Sequence, residues 1–574
     1  MKTKDNLTPW DFLENYKGKE FNGQWPTLPE LFHITTIRHG ERHCWRAFAP
    51  EEIRFTYNEA EKKIKELASY ILNLGIEKGE KIIVSGKNSP EWAFCYMAAL
   101  YAGATIVPLD NALDTADFIK IAKFSDATMI FADTFRLKEV KDELSYMKSF
   151  VSLEKGSDWE YVLDIKAEHK EGFKVSEDDI AAILFTSGTT GTPKGVMLTH
   201  KNLVSDCYLA QGNMNIYHTD VFYAILPIHH AYTMLAVFIE AMSCGAEVVF
   251  GKKLVVTQIF KELRNGGVTM FLAVPMLYNK MYSALMAGVK KKGALLYGVI
   301  RGLMGFSGFV KKVFGVNIGK KMFKFLLKNL SLENNRICIC GGGPLPSSTF
   351  KGFNQLGIDF VVGYGLTETS PITHLNPIYA YEETSVGKAI PGVECKIVDP
   401  DSEGNGTLYM RGSMVMKGYY KNQEATDDVL DKDGWLNTGD VGHIDSKNYF
   451  YITGRSKSII VTDGGKNVFP EEIEDKFQLF DEMEQICIIG YIKDEKLKAE
   501  GVRMVIYPSK GCMDKYDKDM TKIQQRMEEI VSQVNKELQP HKKISMVSVV
   551  NEPLPMTSTK KVKRFEVAKK YKLS

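Results

Sequence analysis

Between Leu184 and Val196 the chain reads Leu-Phe-Thr-Ser-Gly-Thr-Thr-Gly-Thr-Pro-Lys-Gly-Val, an apolar run passing into hydroxyl and glycine residues. Gly188 and Gly191 would expose backbone N–H groups, Thr186, Ser187, Thr189 and Thr190 add hydroxyl donors, and Lys194 adds one cation. Such a composition can wrap a polyphosphate. A Walker A loop is excluded: that pattern needs Gly-Lys followed by Ser or Thr, whereas Pro193 precedes Lys194 and Gly195 follows it. A plain Gly/Thr turn accounts for half of this string but not for the whole.

These residues need elements to hold them. Thr56-Tyr-Asn-Glu59 has the form of a capping box, and Ile64, Leu67, Ala68, Ile71 and Leu72, followed by Gly75, mark an amphipathic helix. Lys81–Ser85 predicts a strand, and the helix-then-strand alternation returns over 92–109, 118–131 and 231–250. Repeated units of this kind predict largely parallel sheets with helices on their faces. The uncharged stretch 92–109 approaches the length of a bilayer span, but Gly103 and Pro108 break it into a buried helix and strand. From Thr384 short apolar runs such as Cys395–Val398 and Thr407–Arg411 alternate with Gly, Asp and Asn clusters, which predicts antiparallel strands in a smaller β-rich unit. Mixed α/β texture resumes after Gly454-Arg455. The expected class is α/β, with a boundary dividing the chain into domains 1–456 and 457–574.

The 574 residues are too many for one ordinary core, and 44% hydrophobic with 25% charged residues matches a folded globular chain. Lysine plus arginine at 73 against aspartate plus glutamate at 71 leaves +2, so no global field calls for nucleic acid. Nine cysteines are scattered, and the close pair Cys338 and Cys340 sits in a strand-like apolar run; both read as buried thiols in a reducing compartment rather than zinc ligands or a disulfide. The N-terminal lysines are followed by no apolar segment, so the chain reads as cytoplasmic.

The phosphate-loop string resembles the signature of the adenylate-forming (AMP-binding) superfamily, and the resemblance continues in order. Leu226-Pro-Ile-His-His-Ala-Tyr232 is similar to the family's Pro-Leu-x-His element, with His230 in the histidine position. Cys340-Gly-Gly-Gly-Pro-Leu345 resembles the adenine-side glycine turn with Gly341, Gly342 and Gly343, and Gly363-Tyr-Gly-Leu-Thr-Glu-Thr369 the aromatic-Gly-x-Thr-Glu element. Gly434-Trp-Leu-Asn-Thr-Gly-Asp440, Gly454-Arg-Ser-Lys457 and Pro555-Met-Thr-Ser-Thr-Lys-Lys561 follow. The set is most like bacterial long-chain fatty acid CoA ligases. It implies a large N-terminal domain of two layered α/β sheets plus a β-rich subdomain, and a small mobile α/β cap.

The resemblance also implies roles. Tyr364 would offer a ring face to adenine, Gly365 a close backbone approach, Thr367 a donor to the α-phosphate, and Glu368 with Thr186 oxygen ligands for Mg2+. Asp440 would accept from the ribose hydroxyls, with Arg455 as a second ribose or phosphate contact. Lys561 would place a cation on the α-phosphate as carboxylate attacks; the family pattern has Gly before this lysine and this chain has Lys560, which is the alternative. The implied reaction is carboxylate plus MgATP giving acyl-adenylate and pyrophosphate, then thiol attack giving a thioester and AMP. The cap would rotate about Lys457, exchanging Lys561 for the loop 461–468, where Gly464 and Gly465 would line the pantetheine channel of CoA. His230 would gate or line the carboxylate site, since a carboxylate needs no deprotonation at neutral pH.

No acidic residue lies between Arg264 and Ser331 to pair with an amino-acid amine, which favours an apolar acid, taken as a fatty acid. An acyl carrier protein could replace CoA as thiol acceptor, and a non-catalytic acyl-adenylate-binding relative is the remaining alternative. The stretch 288–330 carries ten basic and no acidic residues among Leu, Phe, Ile and Met. It is either an amphipathic surface meeting anionic lipid at the inner face of a membrane or a solvated lysine face over packed helices.

Overall fold

The computed structural model describes residues 9–186, 193–378, 380–462, 466–494, 499–557 and 561–571. By backbone contacts the chain divides into two compact units. The larger holds residues 1–343, 349–395 and 410–436; the smaller holds 344–348, 396–409 and 437–574.

The larger unit is built on two sheets. One has seven strands in the order Gly418–Tyr419, Lys194–Thr199, Ile180–Thr186, Thr105–Pro108, Lys81–Ser85, Ala127–Ala132 and Ser149–Ser152. The last five run parallel, and Lys194–Thr199 turns back antiparallel on Ile180–Thr186. The other sheet has nine strands, with a parallel centre of Asp359–Gly365, Ile337–Cys340, Met270–Ala273, Val221–Ala224, Glu247–Phe250 and His43–Ala47.

The helix Tyr57–Asn73 opens on the predicted box: the Thr56 side chain accepts from the Glu59 N–H while the Glu59 side chain accepts from the Thr56 N–H. The uncharged stretch resolves into the helix Pro90–Tyr101 and the strand Thr105–Pro108. From Trp92 to Leu100 every residue of that helix is buried, as a helix apolar all round must be when packed between layers. No described helix is long and apolar enough to cross a membrane. Cys338 and Cys340 are both buried on their strand, and burial pushes the Cys338 thiol up to about 12.

The smaller unit carries most of a four-stranded sheet, Glu394–Val398, Gly406–Arg411, Leu436–Ile444 and Phe450–Arg455. A hairpin pair, Ile460–Val461 with Asn467–Val468, and a three-stranded sheet, Met483–Asp494, Ala499–Pro508 and Met546–Val549, complete it. The helix Met520–Asn535 covers the last sheet through Ile523, Met527, Ile530, Val531 and Val534, an i, i+4, i+7 stripe.

One buried carboxyl sets a pH dependence on the larger unit. Glu240 lies fully inside the apolar core, and burial raises its carboxyl to about 8. The folded state therefore keeps a proton that the unfolded chain releases above the ordinary glutamate range, so stability falls as pH rises from about 4.5 toward 8. Glu240→Gln removes that loss without changing shape: its melting temperature should exceed that of the parent at pH 8, and the gap should close near pH 5. An equal gap at both pH values contradicts the assignment.

Candidate functional site

Most of the candidate residues in the larger unit sit where parallel strands end. Val221–Ala224 runs out into Leu226–Tyr232, Ile337–Cys340 into Gly341–Gly343, and Asp359–Gly365 ends at Tyr364 and Gly365. All three strands are parallel, so these ends share one edge of the sheet. In the seven-stranded sheet, Ile180–Thr186 and Thr105–Pro108 likewise end at Thr186 and just before Asp110. Ligands in open α/β folds bind at such carboxyl edges, because loops diverge there and leave a crevice.

Around the nucleotide motifs the side chains converge. Thr186 pairs with Lys194 across the strand turn. The Lys194 ammonium stands 4.7 Å over the Tyr419 ring, and the Tyr419 hydroxyl donates to Glu368 Oε1 at 2.8 Å. The Met416 N–H donates to the Glu368 carbonyl at 2.9 Å, which holds the short 3-10 turn Thr367–Thr369 against the segment that leads into Gly418–Tyr419. Lys194, Tyr419 and Glu368 are thus one cluster of cation, ring and carboxylate. Tyr419 was not singled out from the sequence; it lies over two hundred residues from Lys194 and meets it only because Gly418–Tyr419 pairs with Lys194–Thr199. A Cβ at Gly365 would collide with the Pro371 carbonyl, so glycine is required there for the chain to turn back.

The histidine element is held by a residue that the motifs did not reveal. Asn88, buried after the strand Lys81–Ser85, donates to the carbonyls of Ala224 (2.9 Å) and Leu226 (2.8 Å) and accepts from the Ile228 N–H (3.0 Å). Its three bonds tie the edge of one sheet to the histidine turn of the other. The rings of His229 and His230 lie with centroids 4.3 Å apart, tilted by 40°. His229 is 3.6 Å from Asp110, and burial lowers its imidazole below the ordinary histidine value with Asp110 opposing. Tyr232 donates to the Ile339 carbonyl at 3.2 Å and packs so close to Gly341 that a Cβ there would press its ring. The π-helical segment Met234–Ile239 follows directly, a winding often found beside functional sites. Tyr364 has its ring 5.8 Å from that of His374 on the adjacent strand.

The smaller unit gathers the remaining candidates. Asp440 and Arg455 are register partners on adjacent antiparallel strands, and Arg455 Nε donates to the buried Asp440 Oδ1 at 2.8 Å. Lys457 lies in the 3-10 turn Ser456–Ser458 that follows. Desolvation and then the like charge of Arg455 lower the Lys561 ammonium below the ordinary lysine value, with Asp440 opposing.

Lys561 is presented by a narrow turn. The Thr557 N–H donates to the Lys561 carbonyl (2.8 Å), the Lys561 N–H to Thr557 Oγ1 (3.1 Å), and the Lys563 N–H to the Pro555 carbonyl (2.8 Å). Arg564 anchors the turn, reaching Glu471 (2.9 Å), Glu474 (2.5 Å) and the Ile488 carbonyl (2.6 Å). Two carboxylates hold its guanidinium well above the usual arginine range despite burial. Ser187, Gly188, Thr189, Thr190 and Gly191, together with Gly464, Gly465 and the alternative Lys560, lie outside the described residues.

Glu368 suits Mg2+ in one respect: it is a hard carboxylate fixed by Tyr419 beside Lys194, and magnesium on a nucleotide needs only one or two protein carboxylates, its other ligands being water and phosphate. Among the described residues no cluster of three His, Cys, Asp or Glu forms a closed metal cage.

Comparison with known proteins agrees with this architecture. A chloroplastic long-chain-fatty-acid acyl-carrier-protein ligase of Arabidopsis thaliana is 27% identical, over 96% of this chain and 86% of its own. A long-chain-fatty-acid CoA ligase of Mycobacterium bovis is 28% identical, over 76% of this chain and 75% of its own. Among solved structures, ATP-bound MatB from Rhodopseudomonas palustris superposes with a TM-score of 0.75 at 22% identity, over 95% of this chain and 99% of that one. An anthranilate CoA ligase in complex with anthranoyl-AMP gives 0.75 at 18%, over 96% and 98%. The model of the AMP-binding enzyme family matches residues 37–420 and that of the AMP-binding enzyme C-terminal domain matches 457–574, so the chain belongs to the adenylate-forming AMP-binding enzymes.

Proposed function

We propose that the protein activates a long-chain fatty acid with ATP to an acyl-adenylate and transfers the acyl group to the thiol of CoA, releasing pyrophosphate and then AMP. The observation that carries the first step is the Lys194–Tyr419–Glu368 cluster at the mouth of the phosphate-loop strands. The long acyl chain and the thiol acceptor rest on the relatives, which are named for long-chain fatty acids with either CoA or an acyl carrier protein as acceptor. Carrier-protein loading is the second reading, and the Arabidopsis relative favours it.

In the first step Lys194 and the hydroxyl- and glycine-rich stretch beginning at Thr186 hold the phosphates, and Thr367 donates to the α-phosphate. Glu368 and Thr186 would hold Mg2+, which neutralises phosphate charge when bound. Tyr364, Gly365 and the turn Gly341–Gly343 receive the adenine, while Asp440 and Arg455 receive the ribose. His230, with His229 and Asn88 behind it, lines the carboxylate entrance. Lys561 stabilises the negative charge that grows on the α-phosphate oxygens as the carboxylate attacks and pyrophosphate leaves. In the second step the thiolate attacks the acyl carbonyl and AMP departs.

The two elements assigned to separate steps belong to one unit, and Arg564 joins them: it binds the helix Pro470–Glu474, which follows the loop 461–468, and it carries the Lys561 turn. Parts so tied cannot exchange by moving past each other. Turnover therefore calls for the C-terminal domain, taken as 457–574, to move as a body about Lys457.

Lys561→Ala should lower carboxylate-dependent pyrophosphate release by about a hundredfold or more, the usual cost of one such charge, while thioester formation from supplied acyl-adenylate persists. An equal fall in both steps overturns this division. Arg564→Ala should depress both steps and lower the melting temperature, because it strands two carboxylates, with Arg564→Lys intermediate. Tyr419→Phe should raise the Mg2+ needed for half-maximal pyrophosphate release by about tenfold, the order expected from losing a hydrogen bond to a carboxylate. A fatty-acid panel assayed with CoA and with an acyl carrier protein tests the substrate directly; release of pyrophosphate with aromatic or short acids alone contradicts the long-chain reading.

A further inference from the structure

The helix Ala294–Phe314 is built inside out on one side. Ile300, Met304, Ser307 and Lys311 form the single stripe it buries. Leu295, Val299, Leu303, Phe306, Phe309 and Val313, spaced so that they follow one another up a neighbouring face, are exposed, with Phe306 and Phe309 each more than half open to solvent (55% and 57%). An apolar strip of this length on a monomer surface is a contact surface rather than chance exposure.

The basic residues of 288–330 divide into two sets. Lys311 is turned inward onto Asp359 (2.8 Å) and Asn354 (2.9 Å), Lys320 donates to the Asn335 carbonyl (2.7 Å) and Arg301 to the Tyr282 hydroxyl (3.1 Å). These fasten the segment to the fold. Lys290–Lys292, Lys312, Lys321, Lys324 and Lys328 stay exposed, and the stretch has no acidic residue to neutralise them.

We propose that this apolar helix face, with the exposed lysines of the same segment, docks the protein on an anionic lipid surface. Apolar side chains enter the headgroup boundary, where burial of their surface favours binding, and each lysine adds attraction to anionic headgroups. A second copy of the chain fits less well: a two-fold interface sets the same patch against itself and would bring the lysines together with no carboxylate from this segment between them. Among the described residues no helix is suited to cross the bilayer, so the contact is interfacial.

Sedimentation of the full chain with phosphatidylcholine vesicles, with and without phosphatidylglycerol, tests the inference. Anionic vesicles should retain the protein at low salt, neutral ones should not, and salt should release most of it. Replacing Lys290, Lys291 and Lys292 together by Glu should weaken retention about tenfold or more. Phe306→Ser combined with Phe309→Ser should weaken it at every salt concentration while pyrophosphate release in detergent-free buffer stays unchanged, which shows that the variant is folded. Equal retention by both vesicle types, or variants that bind as the parent does, overturns the proposal. So does a change from dimer to monomer in the phenylalanine variant with vesicle retention unaltered, since the face would then belong to a second copy.

Discussion

Parallel strands can hydrogen-bond to one another only if every connection between them crosses back over a face of the sheet, so their carboxyl ends are left as one open edge from which the loops diverge. That constraint decides the chemistry of the larger unit. The histidine turn, the glycine turn, Tyr364 and Thr186 belong to widely separated parts of the chain, yet each lies at or just past the end of a strand. Asn88 then joins the two edges: its amide donates to the carbonyls of Ala224 and Leu226 and accepts from the Ile228 N–H, pairing polar groups at the root of the histidine turn. One amide side chain thereby couples the packing of one sheet to the position of His229 and His230 on the other.

The smaller unit uses charge instead of strand ends. Asp440 is buried, and Arg455 on the next strand lies in register to meet it. Arg564 does the same for the C-terminal turn, with Glu471 and Glu474 as partners and Ile488 as a third acceptor. A planar guanidinium with several fixed donors can bridge a helix, a strand and a turn at once, which an ammonium cannot do. The near-neutral sum of charges over the whole chain conceals this arrangement, in which opposite charges are paired at the functional parts while 288–330 holds ten basic residues and no acidic one.

Local signals were readable wherever one short stretch of chain contains its own reason. The Thr56 capping box, the buried helix and strand over 92–109, the antiparallel strands after Thr384 and the thiols of Cys338 and Cys340 all took the predicted form, because capping, periodicity and turn residues act over a few positions. The ordered motifs that contain Thr186, Lys194, Tyr364, Glu368, Asp440, Arg455 and Lys561 were likewise contiguous strings, and their order marked the family. Tyr419, Asn88 and Arg564 carried no such signal. Each acts by contacting a residue far away in the chain, and neither spacing nor composition records a contact of that kind.

The basic block shows the division most clearly. Its alternation of lysine with apolar residues was legible, and so was the pair of readings it allowed. Which lysines are spent on the fold and which meet solvent depends on Asp359, Asn354 and Asn335, all outside the block. The sequence by itself determined the elements, the motif order and hence the family, since those follow from short-range propensity and from chemistry written into contiguous residues. Only the tertiary structure decided that Tyr419 would hold Glu368, that Arg564 would fasten the Lys561 turn, and that the helix at 294–314 would keep its phenylalanines in solvent, because burial and pairing are properties of distant surfaces brought together.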